Sequence, residues 1–220
     1  MPVVSPVRLW DTSAQMPVDP MPDIVLTEDA VARPDDAVLI AALGPRSVVL
    51  VGMMGSGKSS IGRRLAARLA MPFVDADTEI EQAAGMTIPE IFEQHGEPYF
   101  RAGEARVIAR LLDHGPQVLA TGGGAFMNGD TRSVIRQKGV SIWLKAELDV
   151  LMKRIKRRND RPLLKTDDPA ATLTALIAER YPVYAQADFT VLSRDVPHEA
   201  IVDEIVAALH QRVAGSGGGP

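Results

Sequence analysis

The chain has 220 residues, 46% of them apolar, with a formal net charge of −4 and no cysteine. This is enough apolar material for one cored domain; it rules out disulfides and cysteine-ligated metal, and the charge balance gives no support to a nucleic-acid partner. No apolar run reaches the roughly 18 residues of a membrane span, and Met1–Trp10 lacks a secretory pattern, so the composition predicts a cytoplasmic protein with no membrane partner. Residues 1–44 hold Pro2, Pro6, Pro17, Pro20, Pro22 and Pro34, and the acids Asp19, Asp23, Glu28, Asp29, Asp35 and Asp36. They read as an acidic, proline-rich leader, mostly disordered, with a short helix at Asp36–Leu43. An arm docked on the core is the alternative. Ala214–Pro220 reads as a glycine-rich disordered tail, leaving 45–213 as the folded domain.

Within that domain strands and helices alternate. Strand patterns fall at Ser47–Val51, Pro72–Asp75, Val118–Thr121, Val140–Leu144 and Phe189–Leu192. A helix follows the first strand, with Ile61, Leu65 and Leu69 on one face. Further helical patterns cover Thr78–Ala84, Ile88–His95, Phe100–Leu112, Thr131–Lys138, Leu148–Arg158, Pro169–Ala185 and His198–Val213. Alternation of this kind predicts a parallel sheet with helices on both faces, a three-layer α/β/α sandwich.

Gly52-Met53-Met54-Gly55-Ser56-Gly57-Lys58-Ser59 fits G-x-x-x-x-G-K-[ST] between a strand and an amphipathic helix. A loop that wraps a phosphate turns successive N–H groups inward, in conformations that glycine reaches without steric cost. The helix that follows adds its N-terminal dipole. Lys58 suits the β- and γ-phosphates, and the Ser59 hydroxyl is a hard ligand for Mg²⁺. The motif indicates nucleoside triphosphate binding, and Gly55, Ser56, Gly57, Lys58, Ser59 and Ser60 are the candidate nucleotide contacts. No N-K-x-D guanine signature is present, which favours a compact kinase for a small metabolite over a GTPase.

Three further sets stand out. Asp75 and Asp77 end the second strand, where parallel sheets place ligands; a helix cap is the other reading for Asp77. Gly122, Gly123 and Gly124 end the third strand and permit close approach, unless they form an ordinary loop. Arg101 and Glu104 share a helix face, as a surface ion pair or as part of a site. His95, His114, His198 and His210 have no ligand spacing and read as surface residues. The run Lys153, Arg154, Lys156, Arg157 and Arg158 reads as a solvated face from which Arg154 alone meets nucleotide. Met53 and Met54 read as packing, and Trp143 as core.

Taken together, these residues closely resemble the shikimate kinase family. The matching pieces run in family order: the phosphate loop, D-x-D at Asp75–Asp77, G-E-x-x-F-R-x-x-E at Gly96–Glu104, Gly122–Gly124, R-P-L-L at Arg161–Leu164 and R-x-x-x-Y at Arg180–Tyr184. The resemblance covers about residues 46–210 and implies a nucleoside-monophosphate-kinase fold with strand order 2-3-1-4-5. It implies the transfer of the ATP γ-phosphate to the 3-hydroxyl of shikimate, towards aromatic amino acids, by a monomer using one Mg²⁺. It also implies roles. Asp77 meets the substrate hydroxyls, Arg101 and Arg180 grip the carboxylate, Glu104 orients Arg101, and Gly122, Gly123 and Gly124 line the pocket. Asp75 joins Ser59 in holding Mg²⁺, Arg154 packs on adenine, and Arg161, on a lid at about 159–168, reaches the transferring phosphate. Lys58, Asp77 and Arg161 form the implied catalytic set. The chemistry agrees, since an arginine fork matches a carboxylate bidentately and phosphoryl transfer needs mainly positioning and charge neutralisation. Two rivals are another metabolite kinase of the same fold, such as gluconate kinase, and a nucleotide-dependent binding or regulatory module.

Overall fold

The computed structural model describes residues 34–156 and 168–216. Helix α1 (Pro34–Leu43) leads into the central strand β1 (Ser47–Val51), and α2 (Lys58–Arg68) follows the phosphate loop. Next come β2 (Phe73–Asp75), α3 (Ala76–Ala84), α4 (Ile88–Asp113), β3 (Val118–Ala120) and a 3-10 turn at Ala125–Met127. The rest comprises α5 (Gly129–Lys138), β4 (Gly139–Lys145), α6 (Leu148–Ile155), α7 (Pro169–Tyr184), β5 (Phe189–Leu192) and α8 (His198–Ser216). All strand pairs are parallel, in the order β2-β3-β1-β4-β5, as the resemblance implies. Among the described residues no helix is long and apolar enough to cross a membrane.

The strand β1, Ser-Val-Val-Leu-Val, is buried at every position because helices cover both faces of the sheet. Val49 and Val51 join a core with α3, α4 and α7; Val48 and Leu50 join a second core with α2 and α8. Gly62 lets α2 lie close to the sheet: a Cβ there would stand 2.6 Å from the Phe73 ring. The phosphate loop is thereby held tightly over the carboxyl ends of β1 and β3.

Two boundaries differ from the sequence reading. The expected helices Ile88–His95 and Phe100–Leu112 both form, joined within α4 across a kink at Gly96, whose φ of 81° and ψ of 171° are non-helical, just before Pro98. The start of α4 is fixed by a capping box, in which Thr87 and Glu90 satisfy each other's groups. The helix α8 runs to Ser216, three residues into the segment assigned to the tail.

The second concerns the leader, whose expected short helix at Asp36–Leu43 forms as α1. Helix α1 packs on the core formed with α2 and α8, so the folded unit starts near residue 34 rather than 45. Asp36, Leu39 and Leu43 form its buried stripe. Asp36 is only 1% exposed and accepts from Arg68 Nε of α2 at 3.0 Å, with His210 Nε2 of α8 at 3.5 Å. A buried carboxylate held by the Arg68 guanidinium and adjoined by the His210 ring docks the helix where composition alone suggests solvent. Residues 1–33 lie outside the described part.

Candidate active site

The carboxyl ends of β1, β2 and β3 open into a cleft of about 520 Å³. Gly55, Gly57, Lys58, Ser59, Ser60, Asp75, Asp77, Gly123 and Arg154 all line it, together with Met54 and Thr121. In the phosphate loop Gly52, Gly55 and Gly57 have φ of 137°, 81° and 95°, values that a Cβ disfavours. Gly57 precedes α2, so the free N–H groups of that helix face the loop. The Lys58 ammonium donates to the Gly52 and Met53 carbonyls at 2.8 and 2.9 Å, spanning the loop's mouth. Ser56 is buried, and its carbonyl accepts from Ser193 Oγ at 2.7 Å, so the loop is also anchored from behind.

The helix α3 begins one residue after β2, and this resolves the two readings of Asp77. Asp75, not Asp77, is the N-cap: its Oδ1 accepts from the Asp77 N–H at 3.2 Å. Its other oxygen, Oδ2, accepts from Ser59 Oγ at 2.6 Å. Two hard oxygen groups thus adjoin at the base of the phosphate loop. Among the described residues no cluster of three or more histidine, cysteine or acidic side chains could hold a metal unaided. The Ser59–Asp75 pair itself is of the hard-oxygen type that Mg²⁺ takes, since that ion binds through one or two protein oxygens plus phosphates and water.

Beyond Asp77 the cleft is walled by the glycine run. A Cβ on Gly122 would meet Glu104 Oε1 at 2.7 Å and Asp77 Oδ1 at 2.8 Å; one on Gly124 would stand 2.4 Å from the Arg101 guanidinium. Arg180 Nη1 lies 3.6 Å from the Cβ position of Gly123. At Gly122 and Gly124 the missing side chain lets two carboxylates and the Arg101 guanidinium close on one strand end. Arg101 and Glu104 are no surface pair: Arg101 Nη1 donates to Glu104 Oε2 at 2.6 Å, and the Glu104 side chain is 3% exposed. Glu97, past the Gly96 bend, accepts from Arg101 Nε and Nη2 at 3.2 and 3.1 Å. Burial pushes the Glu104 carboxyl up; Arg101 opposes this, and the nearby charge of Asp77 adds to it. Burial disfavours the Arg101 cation, yet Glu104 and Glu97 hold its pKa above the usual value.

On the opposite side of the cleft Arg154 ties two elements together. Its Nη1 donates to Ser193 Oγ at 2.8 Å and its Nη2 to the Arg194 carbonyl at 2.6 Å, tying α6 to the loop after β5. That loop supplies Asp195, Val196 and His198 to the cleft. Lys153, read as part of a solvated face, pairs with Asp195 at the rim. His198 and His210, read as surface residues, are half-buried, whereas His95 and His114 are exposed. The contribution of the loop was legible in principle, because it leaves the carboxyl end of a parallel strand. Trp143 lies in the core and Met53 is buried. Arg161 and most of the expected lid fall outside the described residues; Asp168 is described and caps α7 through the Ala170 and Ala171 amides at 3.0 and 2.9 Å.

A five-stranded parallel sheet in this order, with a glycine-rich phosphate loop after its central strand, defines a P-loop kinase of the nucleoside-monophosphate-kinase fold. A family model described as shikimate kinase matches residues 54–210, and the chain belongs to that family. It is 67% identical over 190 residues to a shikimate kinase of Rhodopseudomonas palustris, covering 86% of this chain and 94% of that one. A shikimate kinase of Bradyrhizobium diazoefficiens is 67% identical over 180 residues, covering 82% and 87%. Among solved structures, the shikimate kinase from Acinetobacter baumannii in complex with shikimate matches with a TM-score of 0.75 and 34% identity, over 79% of this chain and 98% of that one. A gluconokinase from Sinorhizobium meliloti matches with a TM-score of 0.53 at 21% identity, over 78% and 95%, and shares the fold alone.

Proposed function

We propose that the chain transfers the γ-phosphoryl group of ATP to the 3-hydroxyl of shikimate, releasing ADP and shikimate 3-phosphate. The observation that carries this assignment is the convergence of Asp77, Arg101 and Arg180 on one glycine run beside the phosphate loop. Shikimate is a ring with one carboxylate and neighbouring hydroxyls. A carboxylate at one end of the site and arginines at the other match that distribution of groups.

In this reading the phosphate loop amides and Lys58 hold the β- and γ-phosphates, and Arg154 lies on the adenine side. Ser59 and Asp75 hold Mg²⁺, which neutralises phosphate charge when bound. Arg101 and Arg180 grip the substrate carboxylate, with Glu104 fixing the Arg101 fork. Asp77 accepts from the attacking hydroxyl and aligns it on the γ-phosphorus. As the new O–P bond forms and the bond to ADP breaks, the hydroxyl proton leaves towards Asp77. The role of Arg161 at the transferring phosphate rests on the family resemblance.

The test is a coupled ADP-release assay with shikimate and gluconate side by side, each with Mg²⁺ and with EDTA. Turnover is expected with shikimate and Mg²⁺ only. Equal turnover with gluconate, or turnover unaffected by EDTA, overturns the reading.

A further inference from the structure

Tyr184 is the last residue of α7 and is 0% exposed. It ends the R-x-x-x-Y pattern, yet nothing in the reaction described above uses it. Its ring is wedged among Trp143, Tyr181 and Phe126, with centroids 6.0, 6.3 and 6.4 Å away. Its hydroxyl, however, points at the site: it donates to the Gly123 carbonyl and lies 3.8 Å from Met53 Sδ in the phosphate loop.

The carbonyls of the glycine run show why this matters. The Gly122 oxygen accepts from the Ala125 N–H at 3.3 Å and the Gly124 oxygen from the Met127 N–H at 3.0 Å, both within the turn itself. The middle carbonyl, that of Gly123, is held from outside, by Tyr184. A run of three glycines has no side chains to restrict it and is otherwise conformationally permissive. Because a peptide is planar and trans, fixing the Gly123 oxygen also fixes the Gly124 N–H on the opposite side. The same peptide carries Gly123 into the cleft lining and Gly124 against Arg101.

We propose that Tyr184 is a positioning residue for the acceptor substrate, its hydroxyl setting the Gly123–Gly124 peptide and thereby the wall between Asp77 and the two arginines. The inference rests on the acceptor site proposed above. Burial pushes the Tyr184 phenol up to about 12, although the Arg180 cation pulls the other way. The phenol therefore keeps its proton across the working range and remains a donor.

Tyr184→Phe keeps the ring and removes only the donor. It should raise the shikimate KM roughly five- to tenfold, the worth of one buried hydrogen bond, while the ATP KM stays within about twofold. Tyr181→Phe is the control. Tyr181 stands in the same aromatic cluster and donates to the Ala146 carbonyl, away from the glycine run. It should lower the melting temperature without moving either KM. If Tyr184→Phe lowers only the melting temperature, or raises both KM values together, positioning is overturned. Arg180→Lys separates the two possible failures. If it raises the shikimate KM and Tyr184→Phe does not, the positioning role alone falls; if neither does, the acceptor site falls as well.

Discussion

Gly122 stands so close to Asp77 that a Cβ on it would lie 2.8 Å from the Asp77 carboxylate, and 2.7 Å from that of Glu104. Neither carboxylate can move aside cheaply, because Asp77 follows the capped start of α3 and Glu104 is bound to Arg101. Gly122→Ala should therefore displace Asp77 while leaving the phosphate loop intact. A shift of about 1 Å at such a group costs on the order of a hundredfold in kcat/KM. Steady-state kinetics should show that loss with shikimate, and calorimetry should show ADP affinity unchanged. Normal kcat/KM would mean that Asp77 does not need its present position.

Asp77→Asn keeps the shape of the side chain and removes its charge. If Asp77 biases the acceptor hydroxyl towards attack, kcat should fall by about 10²- to 10⁴-fold. ADP should still bind, since Asp75 and Ser59 remain paired beneath the phosphate loop. A kcat within a few-fold of wild type would remove Asp77 from the chemistry.

Arg101→Lys probes the carboxylate grip. Arg101 is held by Glu104 and Glu97 together, and a lysine cannot present the same planar fork. The shikimate KM should rise roughly tenfold with the ATP KM unchanged. Equal changes in both would point to a general loosening of α4.

The sheet and most of the site were legible because their signals are local. The buried, β-branched strand β1, the glycines of the phosphate loop and the Ile61, Leu65 stripe all lie within 20 residues of one another. The glycine run announced close approach without saying what approaches; its partners Asp77, Glu104, Arg101 and Arg180 come from three other helices. The break at Gly96 between the two helices of α4 was legible as well, because a glycine followed by Pro98 ends a helical pattern in any short window. The short helix expected at Asp36–Leu43 forms as α1, and what was least legible was its docking on the core. Its buried stripe includes an aspartate, and the groups that make this tolerable, Arg68 and His210, are remote in sequence.

That aspartate yields a prediction about stability. Burial alone would raise the Asp36 carboxyl, but hydrogen bonds and charge from Arg68 and His210 outweigh it and hold its pKa below 3.8. Between the folded-state value and 3.8 the unfolded chain binds more protons than the folded one, so stability rises with pH across that window. The stabilisation is fully present above 3.8 and is lost as pH falls through the folded-state value. Asp36→Asn removes the charge and keeps the volume. Near neutral pH it should cost about 2 kcal/mol, the scale of a hydrogen bond to a charged group, lowering the melting temperature by several degrees. Arg68 would keep its second partner, Asp203, which limits the loss. Denaturant titrations should show the gap between variant and wild type narrowing as the pH falls below 3.8 and the wild-type carboxyl protonates. Removing residues 1–44 takes away Asp36, Leu39 and Leu43 together and should destabilise the fold by more than the single substitution, without altering any residue of the cleft. An unchanged melting temperature in either variant, or a gap that does not narrow below pH 3.8, would show that α1 is not anchored through Asp36.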